Sequence, residues 1–182
     1  MFQEYLKSLD LDFIVVVAYG KIIPKSILDI PKYGCINSHG SMLPKYRGAS
    51  PVQEALKNGD TETGLTTMYM SEKMDEGDIL KIAKIQVDIL DTSENIFQKF
   101  TQVWPELLRK TLQEIQAWNL HSTPQNHAQA TYCTKISKED GEINFQTQAA
   151  SEIYNLFRAY APWPGIYTFY EEKRLVVERI VP

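Results

Sequence analysis

The sequence predicts an α/β fold in which a mostly parallel sheet is flanked by helices, and three observations carry that expectation. Residues 13–19 form an apolar, largely β-branched run without polar alternation. Such a run reads as a strand buried on both faces, which is the habit of strands in helix-covered parallel sheets. The elements around it follow the order helix, strand, helix, strand, for which right-handed crossovers are expected. Finally, 43% of the 182 residues are apolar, enough to build a packed core and too many for a disordered chain.

The elements follow in order. Residues 2–9 place Phe2, Tyr5, Leu6 and Leu9 at helical spacing, and Asp10 and Asp12 end that helix. The strand at 13–17 comes next, as a core member of the sheet. Pro24 suits the first turn of a short helix over 24–28. Residues 34–39 make a second strand. A stretch rich in Gly, Ser and Pro, 40–48, is irregular. A helix over 51–58 is opened by Ser50 and closed by Gly59. Strands at 65–70 and 79–87 flank a loop holding Met74-Asp-Glu-Gly-Asp78. Residues 93–115 are strongly helical, with Pro105 expected to kink or divide them. The polar stretch 121–131 is loop. A second amphipathic helix spans 149–160, Pro162-Trp-Pro-Gly165 stops it with Trp163 as an anchor, and short strands follow at 166–169 and 174–177. A strand at 13–17 needs neighbours on both edges, so further strands are expected beside it.

Composition excludes several classes. The longest apolar run is far below the roughly 18 residues of a membrane span. The first residues include an early acid and no apolar segment of signal-peptide length, which points to a cytoplasmic protein. Cys35 and Cys133 make neither a disulfide framework nor a multi-cysteine metal site. A formal charge of −4 argues against broad, non-specific nucleic-acid binding while leaving room for a local basic patch.

The chemistry concentrates at the second strand. Asn37 and His39 are two apart, so both side chains leave the same face, near the end where open α/β sheets bind ligands. Asn can donate to a developing oxyanion, and His can move a proton near neutral pH. A carboxylate would hold the imidazole, and Asp75 in the 74–78 loop is the best candidate. Asn-x-His alone also fits a structural hydrogen-bonded pair. Three acids in that loop raise the question of a metal, but their spacing is not that of a calcium loop, so no metal is expected. Cys35 shares the face of Asn37 and His39 and reads as packing; His121 and His127 read as surface residues.

The surrounding residues are more specific. Asn37-Ser-His-Gly-Ser-Met-Leu-Pro-Lys-Tyr-Arg-Gly-Ala-Ser-Pro-Val-Gln53 resembles the signature of the formyltetrahydrofolate-dependent formyltransferases. Gly59-Asp-Thr-Glu-Thr-Gly-Leu-Thr-Thr-Met-Tyr-Met70 and Met74-Asp-Glu-Gly-Asp-Ile-Leu80 resemble the family's next two blocks. Thr131-Tyr-Cys-Thr-Lys-Ile-Ser-Lys-Glu-Asp-Gly141 and Arg158-Ala-Tyr-Ala-Pro-Trp-Pro-Gly165 resemble the branch that formylates methionyl-tRNA. Several ordered blocks are a specific signal where one would not be. Met42 stands where the family pattern has Leu, a change that keeps volume.

The resemblance implies a partial Rossmann-like sheet plus the start of a C-terminal barrel-like domain, and a chain truncated at both ends. It divides the sequence into 1–118, part of the catalytic domain; 119–131, a linker; and 132–182, a linker helix and the beginning of the C-terminal domain. It implies that Asn37 stabilises an oxyanion, His39 moves protons and Asp75 polarises His39. By the same resemblance Ser41, Met42, Leu43 and Pro44, with Tyr19, Gly20 and Ile22, contact 10-formyltetrahydrofolate, and Arg47 and Lys45 meet substrate phosphate or the folate tail. The partners implied are initiator methionyl-tRNA, in translation initiation, the folate co-substrate, no membrane, and a separately encoded N-terminal segment as one source of the missing strands. Two alternatives stay open: a formyltransferase acting on a UDP-aminosugar or on glycinamide ribonucleotide, and a split-gene remnant without activity.

Overall fold

A four-stranded sheet, order β1-β2-β4-β5, organises the computed structural model, which describes residues 2–182. The strands are β1 (Ile14–Val17), β2 (Cys35–His39), β4 (Glu62–Tyr69) and β5 (Ile79–Gln86), with helices α1 (Phe2–Ser8) and α2 (Lys25–Leu28) bracketing β1. β1 and β2 are parallel, as a helical crossover requires. The pairings β2/β4 and β4/β5 are antiparallel, so among the described residues the parallel arrangement in this sheet is confined to the first pair.

The face of the sheet opposite the candidate site is covered by α4 (Ser93–Gln116). Ile36 of β2 packs with Leu80 and Ile115, Trp104 Nε1 donates to Ser38 Oγ at 2.9 Å, and the hydroxyls of Thr67 and Thr111 meet at 3.0 Å. Thr92 and Asn95 close a capping box at the start of α4. The helix is not divided at Pro105, which lies inside it; the apolar face formed by Ile96, Phe100 and Leu107 outweighs the one donor that proline removes. Helices α3 (Pro51–Lys57) and α5 (Ala150–Tyr160) bring Val52, Leu56, Ile153, Leu156 and Tyr160 into the same core. Ser50 stands at the N-cap of α3, though its side chain makes no capping bond.

Three sequence expectations change. β1 is not buried on both faces: Val15 and Val17 are 38% and 52% exposed, because β1 is the edge of the sheet and only Val16 of it is buried. The irregular stretch 40–48 ends in a two-residue strand, β3 (Arg47–Gly48), paired in parallel with β6 (Tyr132–Cys133). Trp163 is exposed rather than an anchor; the turn after α5 is instead held by the bond from Gly165 N to Tyr160 O. The chain closes with the hairpin β7 (Ile166–Tyr170) and β8 (Lys173–Val177), to which the bridged Glu142 adds. Among the described residues no helix is long and apolar enough to cross a membrane.

Candidate active site

The pleat of β2 settles which residues face the site. Ile36 and Ser38 point to α4, so Cys35, Asn37 and His39 point the other way. Across the antiparallel pairing Met68 lies opposite Asn37, and Thr66 opposite His39. Thr66 is fully buried and ties down the loop that follows β2: its hydroxyl donates to the carbonyl of Ser41 at 2.6 Å and accepts from the N–H of Leu43 at 3.3 Å. The chain then turns back, with Ser41 Oγ donating to the carbonyl of Lys45, until Tyr46 passes over His39.

His39 is 6% exposed, and both ring nitrogens have a neighbour. Nε2 lies 2.8 Å from the carbonyl oxygen of Tyr46. A carbonyl only accepts, so Nε2 carries hydrogen and the lone pair of the neutral ring is at Nδ1. Nδ1 faces Oδ2 of Asp75 at 3.6 Å. Asn37 Nδ2 lies 3.5 Å from the other carboxylate oxygen. The three residues named from the sequence therefore converge. The neutral ring held this way presents Nδ1 to the Asp75 carboxylate.

Asp75 owes its place to the 74–78 turn. Its φ is +53°, a left-handed conformation that non-glycine residues seldom adopt. Its Oδ2 accepts the N–H of Gly48 at 2.9 Å, so the β3 loop holds the carboxylate. Gly77 allows the turn to close on β4: a Cβ there would lie 1.8 Å from the carbonyl oxygen of Tyr69.

Arg47 corrects a sequence expectation. Arginines in glycine-rich loops usually reach solvent, yet this one has no exposed surface. Nε and Nη2 donate to Gln125 Oε1 at 3.1 and 2.7 Å, Nη2 also meets His127 Nδ1, and Nη1 meets Tyr132 Oη and Glu76. A guanidinium so occupied ties the site loop to residues 125–132. Lys45 is exposed, with its ammonium 3.9 Å from Asp60. Ser41 and Leu43 are buried within the loop, Met42 packs on Gly64 of β4, and Pro44 is half-buried. Tyr19 and Ile22 are exposed past the carboxyl end of β1. Gly20 between them has φ +69°, and a Cβ placed there would find no atom within 4 Å.

The sequence reading missed Gln125, and it named Thr131 and Tyr132 only within a resembling block, with no role at the site. Residues 123–133 run back along the site loop: Thr131 exchanges bonds with Pro44, Tyr46 and Arg47, and Gln125 is buried beneath the Asp75 turn. Their signal is weak, because a polar stretch without period reads as surface loop. Cys35 is packing, as expected: burial first, then the Asp29 carboxylate, push its thiol up to about 11, which leaves it protonated. Burial raises the Cys133 thiol too. Burial, with the hydrogen bond to Asp60, pushes the Tyr46 phenol up to about 12. Among the described residues no three His, Cys, Asp or Glu side chains are grouped to hold a metal ion.

Comparison with known proteins places this chain in a family. The Formyl transferase family matches residues 1–112, and Formyl transferase, C-terminal domain, matches residues 135–182. Methionyl-tRNA formyltransferase of Alkaliphilus oremlandii is 43% identical over 166 residues, covering 91% of this chain and 53% of that protein. That of Caldicellulosiruptor saccharolyticus is 45% identical over 179 residues, covering 98% of this chain and 57% of that protein. The chain thus spans about half the length of these curated relatives. Among solved structures, a 4-N formyltransferase from Francisella tularensis superposes with a TM-score of 0.80 at 21% identity, over 97% of this chain and 74% of that one. HypX from Aquifex aeolicus, in complex with tetrahydrofolic acid, gives 0.79 at 17%, over 96% of this chain and 30% of that one. At such identities the structures speak to the fold, and the fold is shared. With the Asn37–His39–Asp75 cluster at the end of β2 and the family match running through it, the chain belongs to the formyl transferase family.

Proposed function

We propose that the chain carries the formyl-transferring site of a methionyl-tRNA formyltransferase, a cytoplasmic enzyme of translation initiation that uses 10-formyltetrahydrofolate. The observation that supports this best is the position of His39: one nitrogen is fixed on the Tyr46 carbonyl, and the other faces Asp75 beside Asn37. Relatives 43–45% identical are methionyl-tRNA formyltransferases, which favours the tRNA-linked amine over the sugar and nucleotide amines.

In this reading each residue acts on one part of the reaction. Asn37 donates an amide N–H to the oxygen that becomes negative when the methionine amine adds to the formyl carbon. One such donor is worth on the order of a hundredfold or more in rate. His39 takes the amine proton at Nδ1 and returns it to the folate nitrogen as the carbon–nitrogen bond to folate breaks. Asp75 stabilises the imidazolium between those two transfers. No atom or charge is left over, and no metal is required. The exposed apolar side chains of Tyr19 and Ile22, with the open backbone at Gly20, suit a flat pterin ring at the carboxyl ends of β1 and β2, and Ser41, Met42, Leu43 and Pro44 shape the other side. Lys45 is the exposed cation next to that loop for an anionic group. Residues 1–118 form the catalytic part, 119–131 the connection and 132–182 the C-terminal part.

The test is formylation of methionyl-tRNA by a chimera in which residues 1–182 replace the matching stretch of a full-length relative. Formyl transfer to that amine in preference to aminosugars or glycinamide ribonucleotide is expected.

A further inference from the structure

We propose that Gln125 is the positioning residue for Asp75, and through it for the His39 imidazole; the proposal takes the reaction from the reading above and the positioning from geometry alone. Gln125 lies in a polar loop, yet it is 5% exposed. A buried amide is costly unless both its ends are paired. Here both are. Nε2 donates to the carbonyl oxygens of Asp75 at 2.8 Å and Gly77 at 2.7 Å, while Oε1 accepts two N–H groups of Arg47. Carbonyls only accept and a guanidinium only donates, so the amide has one possible orientation.

The bonds close a ring through the site. Gln125 grips the Asp75 carbonyl and the Arg47 side chain; Arg47 is followed by Gly48, whose N–H holds Asp75 Oδ2. Asp75 is therefore fastened at its backbone and at its carboxylate, in a left-handed conformation it would otherwise leave. The contacts this serves, to His39 Nδ1 at 3.6 Å and Asn37 Nδ2 at 3.5 Å, are long for hydrogen bonds, so a small shift of the turn alters them most. Gln125 touches neither reacting atom; its effect is where it leaves the carboxylate.

The discriminating variant is Gln125→Glu. A carboxylate keeps the buried guanidinium paired, so the fold has its anchor, but it has no hydrogen to give the Asp75 and Gly77 carbonyls. The readout is the pair of His39 ring ¹⁵N resonances, recorded on the 182-residue chain at one pH beside Asp75→Asn. In Gln125→Glu the Nδ1 resonance is expected to move toward its Asp75→Asn position, while Nε2, held by Tyr46, stays. Gln125→Asn, one methylene shorter and uncharged, is expected to move Nδ1 in the same direction, and serves if the Glu variant does not fold. An Nδ1 resonance at the wild-type position in a folded variant overturns the proposal. In the formylation assay kcat is expected to fall, by up to about a hundredfold for a displacement of ~1 Å, with the KM for the formyl donor little changed. If Asp75→Asn leaves formylation unchanged while the Nδ1 shift follows Gln125, the reaction reading is what fails, and the positioning stands.

Discussion

Nδ1 of His39 lies 3.6 Å from Oδ2 of Asp75, and that contact joins two segments that meet only in the folded chain. One is the end of β2, where the pleat fixes the ring's direction. The other is a turn held from three sides, by Gly48, Gln125 and the close approach of Gly77 to Tyr69. The Tyr46 carbonyl on the opposite nitrogen makes the arrangement directional: it occupies Nε2 and leaves Nδ1 as the nitrogen that faces the carboxylate.

Arg47 should matter to stability before it matters to any ligand. Arg47→Met leaves Gln125 Oε1 and Glu76 without their buried partner. Leaving the buried Gln125 oxygen unsatisfied costs roughly 1–3 kcal/mol. Urea unfolding of the variant checks this, with a midpoint unchanged from wild type as the outcome that would restore a surface, anion-binding role.

Gly48 has no room for a side chain. Its φ is +117°, and a Cβ would sit 2.1 Å from the carbonyl oxygen of Cys133, across the β3/β6 pairing. Gly48→Ala is expected to lose on the order of 1–3 kcal/mol from backbone strain and to weaken the bond to Asp75. Thermal melting together with the His39 ring resonances reads both effects.

Neither cysteine should be reactive in the folded chain. With the Cys35 thiol raised to about 11 and both sulfurs buried, alkylation by iodoacetamide near pH 8 should be far slower than in urea, where the thiols return to their ordinary range. Mass spectrometry of a labelling time course measures the ratio. Fast labelling of Cys35 in native buffer would contradict its assignment to packing.

Alkaline pH should destabilise the chain through Tyr46. The folded phenol keeps its proton to about 12, whereas the unfolded one loses it near 10. Between those values the folded state binds the extra proton, so stability is fully present below 10 and falls as pH rises toward 12. Tyr160, raised to about 12 chiefly by burial, acts in the same direction. Urea midpoints measured across this window should decline, and less steeply in Tyr46→Phe.

What the sequence disclosed follows the range of the interactions. The two-residue spacing of Asn37 and His39 is local, so their shared face was legible, and Asp75 stood out as a carboxylate in a turn between strands. β3 and β6 are two residues each and have no period to read, and their pairing joins distant segments. Gln125 and the burial of Arg47 were hidden for the same reason: a glutamine in a polar loop and an arginine after glycine-rich turns carry no sign of burial until the partner segment is in place. β1 is a different case: Ile-Val-Val-Val reads as a covered strand, and among the described residues one of its edges has no paired strand, which leaves Val15 and Val17 exposed.

The role proposed for His39 is to move the proton in formyl transfer. The direct measurement is the single-turnover rate of methionyl-tRNA formylation by the chimera carrying residues 1–182, compared with the same chimera bearing His39→Ala, both checked for native folding. General acid–base catalysis of this kind is worth about 10²–10⁴ in rate, so the account predicts a loss of at least a hundredfold in the variant with formyl-donor binding retained. A folded His39→Ala chimera that formylates at the unsubstituted rate would contradict it.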